Sequence, residues 1–227
     1  MKSEVHNQDC LEAMRLMPDN AFDLAIVDPP YGIKINHSIG RRKGNPKSGH
    51  KPVTWDDSPP SIEYFDQLFR VSRNQIIWGG NYFMSKIARD TPCWLLWDKK
   101  CSDELSFAQY EMAWTSFPGS SKKIELANTG KGKIHPTQKP VQLYEWILTR
   151  YAVPGDTILD THLGSQSSRI AAYNLGFDFC GYEIDSDYFN SGCERFRAHA
   201  AQPKLFAPEL RMSEQPTLLA EGEAFKF

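Results

Sequence analysis

The chain predicts an α/β fold, a mostly parallel sheet with helices on both faces, and three observations carry that prediction. Short apolar runs of strand length alternate with amphipathic stretches along most of its 227 residues. One of these runs, Leu24-Ala25-Ile26-Val27, delivers Asp28-Pro29-Pro30-Tyr31 at its end. Another, Thr157-Ile158-Leu159-Asp160, passes into a glycine turn, a helix and a further strand with Glu183, an acid about twenty positions past the turn, the spacing of a nucleoside-binding unit.

Taken in order, residues 4–7 read as a short strand, and Asp9 caps a helix through Leu11, Met14 and Leu16 that Pro18-Asp19-Asn20 ends. The Asp28 strand follows. From Ile33 to Trp55 there is no apolar period, only Gly, Pro, Ser, Lys and Arg, which reads as a long loop. Residues 62–71 read as a helix and 74–78 as a strand stopped by Gly79-Gly80. Residues 92–97 and 110–114 read as two more strands, and 122–133 as a second polar, basic segment. A helix over 141–151 ends at Pro154-Gly155; strand 157–160, helix 168–175 and strand 179–183 complete the pattern. Periodicity fades near Pro203. The chain therefore reads as one domain over 1–200, with basic insertions at about 33–55 and 118–134 and a tail over 201–227.

Composition narrows the class. A formal net charge of −2 gives no whole-molecule attraction to nucleic acid, so any such affinity must come from a local basic surface. The stretch holding Arg41, Arg42, Lys43, Lys47 and Lys51 supplies one directly after the Asp28 tetrad; Lys122, Lys123, Lys131 and Lys133 supply a second candidate. The amino terminus has no signal-peptide core and no run is long enough to span a bilayer, so a soluble intracellular protein is expected. Five cysteines show neither CxxC spacing nor nearby histidine pairs, and neither a metal site nor a disulfide framework is predicted.

The tetrad is a slot for a planar amine. One Asp28 oxygen and the Pro29 carbonyl can accept hydrogens from an exocyclic NH2, Tyr31 can stack on the ring that carries it, and the prolines hold the acceptors still. In the second motif, Gly164 permits close approach of a ligand to the backbone, Ser165, Ser167 and Ser168 keep the helix start open, and Glu183 is placed for ribose hydroxyls. Gln166 stands where a dinucleotide site would carry a further glycine, which favours a ligand without pyrophosphate. The paired Gly79-Gly80 either shape a pocket or only turn the chain.

Together these motifs resemble the amino-methylating DNA methyltransferases that use S-adenosylmethionine. The tetrad precedes the glycine motif, as in the permuted group called the beta class; His135-Pro136-Thr137-Gln138-Lys139-Pro140 lies ahead of the second motif, and Asn7-Gln8-Asp9-Cys10-Leu11 ahead of the first. The resemblance covers roughly Val5 to Arg195 and implies a circularly permuted, Rossmann-like class I methyltransferase fold. It implies Asp28, Pro29, Pro30 and Tyr31 as the catalytic set. For the cofactor it implies Asp9 at the adenine, Glu183 at the ribose, Asp160, Leu163, Gly164 and Ser165 along the turn, and Thr137, Gln138 and Lys139 at the methionine end. Thr161, His162 and Gln166 depart from the family's usual proline, phenylalanine and glycine.

The activity so implied is methyl transfer to adenine N6 in DNA, with the target base flipped out. Asp28 in first position favours adenine over cytosine N4. Cytosine N4, RNA or a protein amide as acceptor, and a non-catalytic DNA-binding relative, are the alternatives. DNA is the expected partner, with a homodimer and a cognate restriction endonuclease admitted, in the cytoplasm of a bacterial or phage-infected cell.

Overall fold

The computed structural model describes residues 1–33, 58–101, 108–128 and 133–202. Arg41, Arg42, Lys43, Lys47 and Lys51, the remainder of the predicted 33–55 loop up to Trp55, Lys131, and the predicted tail beyond residue 202 lie outside the described residues.

The strands are β1 (Ser3–His6), β2 (Phe22–Val27), β3 (Ser72–Trp78), β4 (Trp94–Asp98), β5 (Tyr110–Thr115), β6 (Lys122–Glu125), β7 (Thr157–Asp160) and β8 (Asp178–Tyr182). The helices are α1 (Cys10–Leu16), α2 (Ile62–Val71), the single turn α3 (Met84–Ile87), α4 (Val141–Tyr151), α5 (Ser167–Leu175) and α6 (Ser186–Ala200). One sheet holds the strands in the order β1-β8-β7-β2-β3-β5-β4-β6. All pairings are parallel except those of β5, which runs antiparallel to β3 and to β4. The expected α/β architecture is observed.

Strand β2 shows why both faces are covered. Successive side chains alternate faces, and here both sets are apolar. Leu24 and Ile26 pack with Leu143, Ile147 and Leu148 of α4 and Ala171 and Ala172 of α5. Ala25 and Val27 pack on the other side with Met14 of α1 and Phe65, Leu68 and Val71 of α2. Caps fix where two of these helices begin: Asp9 accepts from Leu11 N at 2.7 Å, and Ser61 Oγ from Tyr64 N at 3.2 Å.

The segment predicted as polar and basic over 122–133 contains a strand. Residues 122–125 form β6, parallel to β4 at the sheet edge. An edge strand wet on most sides carries no apolar period, so the pattern did not reveal it. Its Lys123 pairs with Asp98 at 3.2 Å and Glu125 at 2.8 Å, and Lys133 Nζ donates to Asn128 O at 3.1 Å. Helix α6 was likewise not predicted.

The chain leaves β7 toward β8 and leaves β2 toward β3, in opposite directions across the sheet. A crevice opens at the carboxyl ends of strands where the order switches in this way. Leu159 is paired with Ala25, so Asp160 ends β7 level with Ile26 and Asp28 stands two residues further toward that crevice.

Candidate active site

A cavity of about 680 Å³ fills the crevice and reaches from Asp28, Pro29, Pro30 and Tyr31 at one end to Leu163, Gly164, Ser165 and Glu183 at the other. Thr137, Gln138 and Lys139 border it between the two. The motifs that were far apart in sequence thus share one space.

At the β2 end, Tyr31 donates its hydroxyl to Asp28 Oδ1 at 2.8 Å, and Lys139 Nζ stands 2.5 Å from Asp28 Oδ2. The Tyr31 ring stacks on half-exposed Tyr82, with centroids 5.0 Å apart and planes 17° apart, and meets Phe83 edge-on. Gly79 makes this possible: its φ is +69°, and a Cβ there would lie 2.2 Å from Tyr31 Cε1. The Gly79-Gly80 pair both turns the chain and shapes the pocket, since a Cβ on Gly80 would lie 2.5 Å from Trp114 Cβ.

Lys139 is buried and belongs to a larger charge cluster. Its Nζ also lies 2.9 Å from Glu111 Oε2, whose other oxygen lies 2.5 Å from Lys99 Nζ. The Trp78 ring stands 5.4 Å from the same ammonium. Burial lowers the Lys139 pKa, but Asp28 and Glu111 outweigh it and the group stays charged. Burial raises Glu111, yet Lys139 and Lys99 bring it down to about 2. Asp28 is raised by burial against the pull of Lys139, and the neighbouring Glu111 charge adds to the rise. The outcome is a carboxyl group of raised basicity, held by one cation and one hydroxyl.

The β7 end is ordered differently. Gly164, at φ +46°, donates its N–H to Glu183 Oε2 at 2.8 Å, and Asp185 N donates to Oε1 at 3.0 Å. Asp160 stands behind the turn, accepting from His162 N at 3.0 Å and from Ser168 Oγ at 2.5 Å; burial raises its pKa to about 7. The His135 ring covers Gly164, where a Cβ would lie 3.5 Å from it, and packs edge-on against Tyr188. Asp9 caps α1 and does not border the cavity.

The three departures from the family pattern have local explanations. Gln166 adopts φ +59°, the left-handed backbone that favours glycine, and is wholly buried. Its amide donates to Phe189 O at 3.3 Å and accepts from Arg169 Nη1 at 2.9 Å, and Gly192 of α6 leaves room for it, since a Cβ there would lie 2.7 Å from Gln166 Cγ. Thr161 Oγ1 lies 2.6 Å from Tyr64 OH and 2.9 Å from His162 Nδ1. Burial lowers the His162 pKa to about 4, so the ring is a neutral aromatic wall of the cavity, as the usual phenylalanine would be.

Sequence reasoning missed Glu111, Lys99 and Tyr188 as site residues. Glu111 had a signal: it is the one acid in the apolar strand Tyr110-Glu111-Met112-Ala113-Trp114.

The DNA methylase family profile, which spans the N6 and N4 amino-methyltransferases, matches residues 77–194, more than half of the chain. The chain belongs to that family. The type II methyltransferase M.HinfI of Haemophilus influenzae is 23% identical over 268 residues, covering 92% of this chain and 73% of that protein. The fold matches that of M1.HpyAVI, solved as a complex with S-adenosylmethionine, with a TM-score of 0.57, 20% identity and coverage of 85% of this chain and 98% of that one. It also matches the cytosine-N4-specific PvuII DNA methyltransferase, with a TM-score of 0.58, 12% identity and coverage of 92% and 89%.

S-adenosylmethionine is the methyl donor of such a methylase, and the residues present suit it. The cavity has the volume of a cofactor site, and the carboxyl groups of Asp28 and Glu183 both line it. Gly164 lines the same cavity, with a left-handed backbone that glycine adopts freely. Among the described residues no group of histidine, cysteine and carboxylate side chains is arranged to hold a metal, and no helix is long and apolar enough to cross a membrane.

Proposed function

We propose that this DNA methylase is an adenine-N6 methyltransferase. The observation that carries the reading is Asp28 itself: a carboxylate of raised basicity, in the first position of the tetrad, opening onto the same cavity as Glu183 and Gly164. An adenine N6 lone pair is delocalised into its ring, so the site has to draw on the N–H hydrogens. Asp28 and the Pro29 carbonyl are the acceptors, and Tyr31 with Tyr82 gives the aromatic surface on which a flipped base stacks.

When bound, S-adenosylmethionine supplies a methyl group already activated on a sulfonium. The amine nitrogen gains the methyl group and loses one proton, which Asp28 receives and passes to solvent. Glu183 holds the ribose hydroxyls, and Thr137 and Gln138 border the space for the methionine end. Alignment of amine and methyl in a closed cavity provides the remainder of the rate. Arg41, Arg42, Lys43, Lys47 and Lys51 are proposed to grip DNA phosphates beside the tetrad.

The test is methyl transfer from isotopically labelled S-adenosylmethionine to unmethylated genomic DNA, followed by digestion to nucleosides and mass spectrometry. Labelled N6-methyladenine is the expected product. Labelled N4-methylcytosine would retain the DNA methylase and overturn the adenine assignment.

A further inference from the structure

The charge cluster at the tetrad is larger than charge balance requires. Asp28 and Lys139 alone make a neutral pair. Glu111 and Lys99 add a second, mostly buried pair, with a desolvation cost that apolar side chains of like volume would avoid. The four groups come from four places: the end of β2, the segment before α4, β5, and the residue after β4. The geometry is also unequal. Lys139 makes an aligned hydrogen bond to Asp28, whereas Glu111 Oε2 lies at 2.9 Å without hydrogen-bond alignment and meets the ammonium only as a charge.

We infer that Glu111 and Lys99 are positioning residues for Asp28: Glu111 draws on the Lys139 ammonium so that Asp28 keeps the proton affinity with which it accepts the amine N–H, and Lys99 sets how strongly Glu111 draws. A carboxylate wholly neutralised by one lysine accepts weakly from an amine. A carboxylate sharing that lysine with a second acid keeps its basicity while remaining fixed in place. The inference rests on the proposed role of Asp28.

The groups that face Asp28 are Lys139, Glu111, Tyr31 and Tyr144, with Tyr64 and Asp160 further off; Glu111 in turn faces Lys139, Lys99 and Lys133. Two substitutions change this field with opposite sign. Glu111→Gln removes a negative charge near Asp28 and leaves Lys139 to Asp28 alone, so Asp28 should titrate at lower pH. Lys99→Met leaves Glu111 uncompensated, so Asp28 should titrate at higher pH.

The experiment is the titration of Asp28 by carbon-13 carboxyl NMR in the full-length apoprotein, assigned with Asp28→Asn, together with the pH profile of kcat. The expected result is a midpoint below wild type in Glu111→Gln and above it in Lys99→Met. The acid limb of kcat should move the same way, kcat of Glu111→Gln should fall about tenfold, and cofactor Kd should stay within about twofold. A purely structural role would lower both activities without separating the midpoints. Midpoints unmoved in folded variants would overturn the inference whatever the activity. Should Glu111→Gln not fold, Lys99→Met, at the outer end of the cluster, decides it alone. Midpoints that separate in a protein transferring no methyl to DNA would instead sink the proposed function and leave the electrostatic coupling standing.

Discussion

The two ends of the cavity handle a buried acid in opposite ways. At the β2 end, Asp28 is met by a lysine and that lysine by a second acid, so the region is governed by charge. At the β7 end, Asp160 and Glu183 are met by backbone N–H groups and a serine hydroxyl, and the nearest imidazole is neutral. Charge tunes how strongly an atom attracts a proton, while fixed dipoles set where a ligand sits. The first arrangement suits a group that takes part in the reaction, and the second suits a cradle for a nucleoside.

The sharpest way to break that contrast is Asp28→Ala. It should lower kcat about 10³-fold or more while changing cofactor Kd less than about twofold, measured by labelled methyl transfer and calorimetry. A large loss of cofactor affinity would place Asp28 in the cradle instead. Glu183→Ala should do the reverse, weakening S-adenosylmethionine about 10- to 100-fold, as expected for hydrogen bonds to a charged group, with a smaller effect on kcat at saturation. Unchanged affinity would remove the ribose assignment.

Asp160 tests the cradle by stability. Its pKa rises from 3.8 to about 7 on folding, so the native state binds the extra proton. The stability this contributes is fully present below the unfolded pKa and is lost as pH rises through about 7. Asp160→Asn should flatten the denaturation midpoint across that window, and a midpoint that still declines in the variant as steeply as in wild type would assign the dependence elsewhere. His162→Phe should be the mildest change. It removes one neutral hydrogen bond, of about 1 kcal/mol, so cofactor affinity should shift less than about fivefold, and a larger shift would show the imidazole acting on the ligand.

Much of this was legible in the sequence because the signals were local. The apolar run before Asp28, the Asp9 cap and the helix over residues 62–71 each depend on neighbours a few positions away, and the structure places them as read. The ordered motifs resolved the family. What stayed hidden depends on partners far along the chain. Lys139 reads as a free cation suited to a carboxylate, and only the fold shows it already between Asp28, 111 positions away, and Glu111. Strand β6 lacked a periodic signal because an edge has no buried face to enforce one. The Gly79-Gly80 pair left two readings open, and the Tyr31 ring against Gly79 joined them.

Gln166 and Gly192 constrain each other across the gap between α5 and α6. With glutamine at 166, a methyl group at 192 collides with its side chain. A glutamine at 166 therefore depends on a glycine facing it from α6.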